Sequence, residues 1–512
     1  MTSFTDWVLQ RLQEAPDRIA LVDGDQRLSR AALFEQARRL GSSLLACGLR
    51  AGDAVAFQLP NWHEACVLNL AAALHGFRLV PLLPMYREAE IGFILRECAA
   101  QALFLPASFR GLSYPDLLAR VQPAPLPAER VYIVRGEDSR HGSYARLLAA
   151  HGELAPLQPA DRDATKVILY TSGSTGAPKG VIHTDRSIVA LITFAREFWQ
   201  LGEGDVTLVP SPVAHIGGSM YAFELPWIAG LTSVLMDVWN PQEALRLIEA
   251  ERVSFLAGAT PFLEGLLQAA EGAGTRLPSL RRFICGGASV PPALVQRAAA
   301  WFDQCTVSRA YGSTEVPIIC PGIRSRADAE FGASTDGECA ADVQLLDDEG
   351  RPVPEGEPGE IVARAPRMFT GYLNPRDNEG AFTADGYFRM GDIGRRVAGR
   401  FLEITGRKKD IIIRLGENIS PLEIENVLMQ HPAIRQVAVV GVPHPRTGEA
   451  ALAFVVLEQG ARFDLADMRA FLQQRGLARQ KWPEQLRTVD SLPTNSIGKV
   501  LKRELRRLAA ES

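Results

Sequence analysis

A repeated strand and helix unit between about residues 165 and 315 constrains the fold more than any other feature of the sequence. Each unit has a short apolar run, then small or polar residues, then a segment with apolar residues at three- and four-residue spacing. The apolar runs are KVILY, VTLVP, SVLM, VSFLA, RRFIC and TVSRAY, and the helical segments include PQEALRLIEAER and PPALVQRAAAWF. This alternation predicts crossover connections and a mainly parallel sheet. In open sheets of this kind, ligands bind beyond the carboxyl ends of the strands.

The pattern differs on either side of this region. Residues 1–110 show similar units, with AVAFQLP and RLVPLLP as predicted strands and HEACVLNLAAALHG as a buried helix. From about 335 to 405, short strands with turn signals predict a β-rich subdomain, including a hairpin in VQLLDDEGRPVPEGEPGEIVAR. The last hundred or so residues predict helices at PLEIENVLMQHP and DLADMRAFLQQRG and strands at QVAVVGV and ALAFVVLE. That final set is typical of a small α+β domain.

A chain of 512 residues is too long for one hydrophobic core, since single cores rarely exceed about 250 to 300 residues. We expect an α/β protein with a large N-terminal domain, residues 1–408, built of mainly parallel sheets flanked by helices. The β-rich subdomain at about 335–405 belongs to it. A small α+β domain, residues 409–512, follows the charged junction GRKKD.

Charge and cysteine content exclude several classes of function. The net charge of -4 gives no broad attraction to nucleic acid or to an anionic membrane, so an anionic substrate needs a local site. The first residues, MTSFTDWVLQRLQEAPDR, lack an apolar stretch long enough for a signal peptide or membrane helix, which predicts a cytoplasmic location. The 7 cysteines contain no CxxC, which argues against a disulfide framework or zinc knuckle and favours reduced thiols, mostly in the core.

A loop suited to phosphate follows the run KVILY. It reads TSGSTGAPKG, from Thr171 to Gly180. Its glycines let backbone N–H groups approach a phosphate, its hydroxyls can donate hydrogen bonds or meet a metal, and Lys179 adds positive charge. Pro178 stands where the Walker motif GxxxxGK[ST] needs glycine, which disfavours a P-loop kinase or GTPase. A plain surface loop is the alternative.

Further motifs stand at the ends of later strands. Gly286-Gly287-Ala288 follows RRFIC, YGSTE (311–315) follows TVSRA, and Gly391-Asp392 closes YFRMGD. The glutamate at the end of YGSTE offers a hard oxygen ligand suited to Mg²⁺, and its tyrosine offers a flat face for a base. Asp392 can accept hydrogen bonds from two ribose hydroxyls. Taken alone, YGSTE or Gly391-Asp392 is more typical of a solvated turn, where Glu or Asp after a glycine usually stands.

Two more motifs lie towards the C-terminus. GRKKDIIIRLGENISPLEIE runs from 406 to 425, and PTNSIGK ends at Lys499. The following KVLKRELRRLAA predicts an amphipathic helix whose apolar side carries Val500, Leu501, Leu505 and Leu508. On its residue type alone, Lys499 is an ordinary exposed lysine.

The loop YTSGSTGAPKG resembles the signature loop of the adenylate-forming (AMP-binding) superfamily, which includes acyl-CoA synthetases, luciferases and peptide-synthetase adenylation domains. The other motifs follow in that superfamily's order, and the resemblance spans essentially the whole chain. The segments STDGE, ITGRKKDII and GENIS are most similar to those of short- or medium-chain fatty acyl and alicyclic, cyclohexanecarboxylate-like, acyl-CoA synthetases.

This resemblance implies a two-step reaction that uses ATP, Mg²⁺ and coenzyme A. A carboxylic acid and ATP form an acyl-adenylate and pyrophosphate, and the acyl group then passes to coenzyme A with release of AMP. One alternative is a ligase that loads the phosphopantetheine of a carrier protein. A second is a non-catalytic regulatory module that binds nucleotide, and a luciferase-like oxygenase shares the same fold. The sequence leaves a homodimer open.

The resemblance also assigns roles to particular residues. Lys499, on a mobile C-terminal domain, would bridge the carboxylate and the α-phosphate, with Lys409 as the hinge of that domain. Glu315 would be catalytic and, with Thr171, a magnesium ligand. The remaining nucleotide or coenzyme contacts would come from Thr171, Ser172, Gly173, Ser174, Thr175, Gly176, Lys179, Gly286, Gly287, Ala288, Tyr311, Gly312, Thr314, Asp392, Arg407 and Gly416. Among these, Gly416 would line the thiol tunnel.

The resemblance places the wall of the acyl pocket at SPVAHIGGSMYAFELPW, residues 211–227, with His215 as a catalytic gate. Amino-acid-activating domains have an aspartate just inside this segment, whereas this chain has Ile216-Gly217-Gly218 and no acidic residue before Glu224. The segment therefore predicts an uncharged aliphatic or alicyclic acid. Arg479 and Lys481 are candidates for the coenzyme's phosphates, and a solvated charged face is their alternative.

Overall fold

The computed structural model describes residues 2–150, 152–172, 177–287, 290–414, 417–494 and 499–511. It confirms the predicted class, a mixed α/β protein with large sheets in the N-terminal part and a smaller α+β arrangement at the C-terminus. None of the helices in these described ranges is long and apolar enough to cross a membrane.

The strands, labelled in chain order, are β1 Ile19–Asp23, β2 Gln26–Ser29, β3 Ala54–Phe57, β4 Arg78–Pro81, β5 Ala100–Pro106, β6 Ser108–Phe109, β7 Leu112–Ser113, β8 Val131–Val134, β9 Gly142–Ser143, β10 Thr165–Ser172, β11 Pro178–Thr184, β12 Val206–Val209, β13 Thr232–Leu235, β14 Phe255–Gly258, β15 Arg282–Gly286, β16 Thr306–Ala310, β17 Asp342–Leu346, β18 Gly359–Arg364, β19 Gly371–Tyr372, β20 Phe388–Val397, β21 Phe401–Arg407, β22 Ile412–Arg414, β23 Glu417–Ile419, β24 Ile434–His444, β25 Gly448–Leu457 and β26 Gln485–Thr488.

The α-helices are α1 Phe4–Glu14, α2 Arg30–Ala46, α3 His63–His75, α4 Glu88–Glu97, α5 Tyr114–Ala119, α6 Tyr144–Ala149, α7 Asp185–Trp199, α8 Ile216–Phe223, α9 Leu225–Ile228, α10 Pro241–Ala250, α11 Thr260–Ala273, α12 Pro292–Trp301, α13 Ala329–Ser334, α14 Pro421–Leu428, α15 Leu465–Gln474 and α16 Lys502–Ala510. Short 3₁₀ helices span Ala128–Arg130, Arg326–Asp328, Pro375–Asn378, Lys408–Asp410 and Arg479–Lys481.

The first sheet has the order β16-β15-β14-β12-β13-β1-β2, and its pairs are parallel except for β1 with β2. Successive residues of β14 enter different cores, since Phe255 and Ala257 join one buried cluster and Leu256 joins another. Burial on both faces is why these strands read as continuous apolar runs and not as alternating ones. The strand predictions from VTLVP to TVSRAY are confirmed here.

The second sheet, β19-β11-β10-β4-β3-β5-β8-β9, departs from the predicted repeat at one end. Its centre is parallel, but β10 is followed by the antiparallel strand β11 and not by a helix. In the segment PKGVIHT, Gly180, Val181, His183 and Thr184 are buried, and the segment pairs with β10 as the next strand of the sheet. The predicted phosphate loop therefore joins two antiparallel strands.

The β-rich subdomain is an antiparallel sheet of order β17-β18-β20-β21, which confirms the predicted hairpin. The C-terminal part has the sheet β23-β22-β25-β24, with β26 added beside β25. Helix α14 lies against this sheet with Ile424 and Leu428 buried.

The last helix differs from its prediction. It begins at Lys502, so Val500 and Leu501 precede it, and Val500 forms an isolated bridge with Thr494. Leu505 is fully buried, whereas Leu501 and Leu508 are each 37% exposed. The N–H of Leu501 donates to Pro493 at 2.8 Å, which holds this stretch in extended pairing until the helix starts.

A buried ion pair fastens the first sheet to the β-rich subdomain. The carboxylate of Asp336 accepts hydrogen bonds from Arg309 Nη2 at 2.6 Å and from the Ile404 backbone N–H at 2.8 Å. Arg309 lies on β16 and Ile404 on β21, so one side chain links the two sheets on either side of the site.

We expect Asp336→Ala to lower the free energy of unfolding by about 3–5 kcal/mol, because it leaves a buried guanidinium without its partner. Urea unfolding followed by tryptophan fluorescence measures the change. Asp163→Ala is the control, since Asp163 pairs with Arg186 at 2.7 Å but has a 70% exposed side chain, and it should leave the transition in place. Equal shifts in the two variants would contradict the role of Asp336.

Candidate active site

Two neighbouring parallel strands end at the predicted base-binding surface. Gly286 of β15 is paired with Ala310 of β16, and a Cβ on Gly286 would lie 2.7 Å from the Ala310 carbonyl oxygen. The next residue, Gly287, has φ +84° and open space where a Cβ would stand. Glycine is required at the first position by the close approach and favoured at the second by the left-handed backbone. Together they leave room beside Tyr311.

Tyr311 is held at both ends. Its backbone N–H and C=O each pair with Cys320 at 2.9 Å, and its hydroxyl donates to Asp392 Oδ2 at 2.8 Å. Burial and the neighbouring carboxylate raise the pKa of Tyr311 well above its ordinary value, so the hydroxyl stays a donor. The ring therefore has a fixed orientation, as a stacking surface requires.

The carboxylate of Asp392 lies at the centre of the site and is 5% exposed. Asp392 on β20 is directly opposite Arg407 on β21, and Asp392 Oδ1 lies 3.1 Å from Arg407 Nε. Each carboxylate oxygen has room for a second hydrogen bond. The side chain can therefore keep Tyr311 and Arg407 and still accept two hydroxyls.

Lys499 reaches this site from the C-terminal part of the chain. Burial and the positive charges of Arg407 and Lys409 lower the pKa of Lys499 to about 8, although the carboxylates of Asp392 and Asp410 act in the opposite direction. The ammonium group of Lys499 is therefore within electrostatic range of Asp392 and Arg407, two of the predicted nucleotide contacts of the N-terminal part.

His215 is the N-cap of α8, and its Nδ1 accepts the Gly217 N–H at 3.1 Å. Loss of solvent around the ring and, to a smaller extent, the positive charge of Lys499 lower the pKa of His215 to about 4. The ring is therefore neutral at pH 7. A Cβ on Gly218 would lie 2.2 Å from the Pro212 carbonyl oxygen. Gly218 is therefore a packing requirement of the helix start and gives no information on the acyl group.

The ends of the phosphate loop face the candidate magnesium ligand. Thr171 is opposite Lys179 in the β10 and β11 ladder, and Lys179 Nζ lies 5.0 Å from the centroid of the Tyr372 ring. The Tyr372 hydroxyl donates to Glu315 Oε1 at 2.8 Å. A carboxylate has about four lone-pair positions, so Glu315 retains capacity for a metal ion. The residues present thus fit a Mg²⁺ ion between the loop and Glu315.

Sequence reasoning missed three residues that position this site. His183, fully buried on β11, donates from Nε2 to the Thr314 carbonyl at 2.7 Å and so fixes the YGSTE turn. Burial lowers the pKa of His183 to about 4, which keeps it neutral. Asp377 Oδ1 lies 3.1 Å from Lys179 Nζ. The Tyr372 hydroxyl orients the Glu315 carboxylate through its hydrogen bond. No local motif marks these residues, because they act across the fold.

The structure describes some of the other predicted site residues and leaves the rest outside the described ranges. Gly312 permits a tight turn, since its Cβ would lie 2.6 Å from the Ile318 nitrogen, and Thr314 is buried. Lys481 Nζ lies 2.7 Å from both carboxylate oxygens of Glu423, so that candidate coenzyme contact is ion-paired. Outside the described residues lie Gly173, Ser174, Thr175, Gly176, Ala288, Gly416 and the side chain of Ser172.

Two family models match the chain. Residues 8–373 match the AMP-binding enzyme model, and residues 423–499 match the AMP-binding enzyme C-terminal domain. The chain belongs to the AMP-binding enzyme family. This family is the adenylate-forming superfamily that the sequence motifs predicted.

The relatives of this AMP-binding enzyme differ in acid and acceptor. The medium-chain fatty-acid–CoA ligase of Escherichia coli K12 is 34% identical, over 99% of this chain and 90% of that protein. The salicyl-AMP ligase / salicyl-S-ArCP synthetase of Mycobacterium tuberculosis is 33% identical, over 96% and 88%. Among solved structures, ATP-bound MatB from Rhodopseudomonas palustris superposes with a TM-score of 0.87 at 27% identity, over 99% of each chain.

These comparisons confirm that the protein is an enzyme, an AMP-forming acid–thiol ligase that makes an acyl-adenylate. They therefore exclude the alternative of a non-catalytic nucleotide-binding module. The superposition extends over both the N-terminal sheets and the C-terminal part, and so confirms the fold as well.

We expect Tyr372→Phe to raise the Mg²⁺ concentration that gives half-maximal activity by about tenfold, because a ligand's hydrogen-bond partner orients it for the metal. A magnesium titration of pyrophosphate release at saturating ATP measures this. Tyr387→Phe is the matched control, since its hydroxyl also donates to a carboxylate, Asp342, at 2.8 Å. An unchanged titration for Tyr372→Phe would show that Glu315 does not depend on this hydroxyl.

Proposed function

We propose that the protein is an acyl-CoA synthetase that activates a short- or medium-chain or alicyclic carboxylic acid and transfers the acyl group to coenzyme A. The observation that carries the proposal is the position of Lys499, close to both Asp392 and His215. Asp392 belongs to the nucleotide side of the site and His215 to the candidate acyl segment. A cation whose charge acts on both of these residues suits the place where a carboxylate and an α-phosphate would meet.

The first half-reaction follows from these positions. Adenine stacks on Tyr311, the ribose hydroxyls donate to Asp392, and Lys179 contacts the phosphates at the end of the loop. Bound Mg²⁺, held by Glu315 and Thr171, would neutralise charge on the phosphates. Lys499 reduces the repulsion between the two anions, which at 4 Å and an effective dielectric constant of 20 is about 4 kcal/mol. The lysine acts by its charge and not by proton transfer.

The acyl segment supports an uncharged substrate. Glu224, the first acidic residue after His215, is buried and lies 3.4 Å from Lys166 and 3.3 Å from Asn69. Its carboxylate is therefore committed to partners inside the protein and is not offered to a substrate amine. Helix α8 contributes mainly apolar residues, and the neutral ring of His215 stands at its start.

The second half-reaction needs Lys499 to leave, because coenzyme A must reach the carbonyl of the adenylate. We propose that residues 409–512 rotate as a unit against residues 1–408. The buried apolar residues of the C-terminal part form clusters of their own, drawn from residues 412–509, which supports a separate unit. Lys409 lies in the short 3₁₀ helix between β21 and β22, where a change in backbone angles would turn the whole unit.

A carrier-protein phosphopantetheine is the second candidate acceptor, because the salicyl-S-ArCP synthetase is nearly as similar as the fatty-acid–CoA ligase. The two share the first half-reaction. An assay of thioester formation separates the two acceptors. It compares free coenzyme A with a panel of carrier proteins, and each acceptor is tested with C2 to C16, aryl and cyclic acids. Turnover only with a carrier protein would overturn the proposed acceptor.

We expect Lys499→Ala to slow adenylate formation by about 10²- to 10³-fold, measured by ATP–pyrophosphate exchange. In the wild type, kcat/KM should fall as pH rises through about 8, because deprotonation removes the charge of Lys499. Lys499→Arg should move that fall to higher pH. Arg507→Ala, an exposed cation of α16, is the control and should change nothing. Undiminished exchange by Lys499→Ala would disprove the proposed role.

We expect Lys409→Pro to preserve pyrophosphate exchange and to block thioester formation, because proline fixes φ at the proposed hinge. Lys409→Ala, which removes the charge and keeps the backbone free, should retain both half-reactions. Single-turnover assays of each step measure the two rates separately. A parallel loss of both steps in Lys409→Pro would show that the residue is not a hinge.

A further inference from the structure

Cys320 lies five residues after the YGSTE motif and Cys339 directly follows STDGE, and the two face each other behind the proposed base-binding surface. The Ala340 N–H donates to the Ile319 carbonyl at 2.9 Å, and the Glu338 N–H donates to the Gly322 carbonyl at 2.8 Å. These bonds hold the two segments side by side, with Cys320 on one and Cys339 on the other. The two cysteines are therefore neighbours on paired segments, and each sulfur affects the pKa of the other.

The surroundings of the pair are asymmetric. Cys320 is fully buried in the apolar core of the β-rich subdomain, whereas Cys339 is at the edge of that core and partly exposed. Arg367 braces both segments, since its Nη2 donates to the Ile318 and Ala340 carbonyls at 2.8 Å each. One thiol is thus accessible from solvent, and the other is held directly behind it.

The charges around the pair favour reaction at Cys339. The neighbouring Cys320 thiol, together with the guanidinium of Arg396, lowers the pKa of Cys339 to about 7, although burial acts in the opposite direction. Burial, then the neighbouring sulfur of Cys339 and the carboxylate of Asp336, raise the pKa of Cys320, although Arg396 acts in the opposite direction. The charge of Arg367 also lies close to both sulfurs. Cys339 therefore supplies a thiolate near neutral pH, and Cys320 remains a thiol.

We propose that Cys339 and Cys320 are a peroxide-reactive pair that forms a reversible disulfide, and that this bond weakens the binding of ATP. The Cys339 thiolate attacks one oxygen of hydrogen peroxide, the O–O bond breaks, and Cys339 sulfenic acid forms with hydroxide as the leaving group. Cys320 then loses its proton and attacks the Cys339 sulfur, and the S–O bond breaks. In sum, two thiols and one peroxide give one disulfide and two waters.

The effect on ATP follows from the backbone of Cys320, which makes both hydrogen bonds to Tyr311 at 2.9 Å. A disulfide requires a sulfur–sulfur distance of about 2.05 Å and a fixed torsion about the S–S bond, so closing it restrains the two segments relative to each other. That restraint on Cys320 reaches Tyr311 through the paired backbone. This step rests on the proposed role of Tyr311 as the base platform, whereas disulfide formation itself does not.

The test exposes the full-length enzyme to hydrogen peroxide, blocks remaining thiols by alkylation and maps the peptides after trypsin. The expected product is a cross-link between peptide 310–324, which contains Cys320, and peptide 327–364, which contains Cys339. It should be about 2 Da lighter than the two thiol peptides together and should disappear on treatment with dithiothreitol. In the same samples, the KM for ATP in pyrophosphate exchange should rise by roughly three- to tenfold and return on reduction.

Cys339→Ser should abolish both the cross-link and the KM shift. Cys47→Ser is the matched control, because Cys47 is an exposed thiol elsewhere in the fold, and this variant should behave as the wild type. Oxidation of Cys339 to sulfinic or sulfonic acid without a cross-link would overturn the proposed pair. A cross-link with an unchanged KM for ATP would overturn the coupling to Tyr311 and leave the proposed ligase activity unaffected.

Discussion

The buried carboxylate of Asp392 is the constraint on which the arrangement of the site depends. A buried charge is costly unless it is paired and hydrogen-bonded. Asp392 meets that requirement with the Tyr311 hydroxyl at 2.8 Å and Arg407 Nε at 3.1 Å. Those partners come from the end of a parallel strand in the first sheet and from the opposite strand of the β-rich subdomain. One carboxylate thus links the two sheets at the proposed nucleotide site.

The positive charges of the site fit the anions of the proposed reaction. Burial, together with the charges of Arg407 and Lys409, lowers the pKa of Lys499, so these three cations are by themselves an unfavourable grouping. In the proposed reaction, a triphosphate and a carboxylate among these cations would reverse the balance. The neutral rings of His215 and His183 add no further positive charge near pH 7.

Much of the fold follows from local pattern, and its exceptions have physical causes. The strands from VTLVP to TVSRAY lie where their apolar runs predict, because burial on both faces selects continuous apolar sequence. The strand β11 was not predicted, since PKGVIHT follows a loop where the repeat elsewhere has a helix. The start of α16 was placed too early, because the backbone of Leu501 is still bonded to Pro493. In both cases backbone pairing with a neighbouring segment of the chain prevailed over the local helical preference.

The sequence by itself determined the family, the sheet-building units and the candidate residues for nucleotide contact, because glycine loops, a stacking ring and fixed charges stand at predicted strand ends. Only the tertiary structure decided which partners hold those residues. His183 behind Thr314, Tyr372 beside Glu315, and Cys320 facing Cys339 are contacts between segments far apart in the chain. Such contacts depend on strand order and register, and these are set by the packing of the whole chain and leave no local signal.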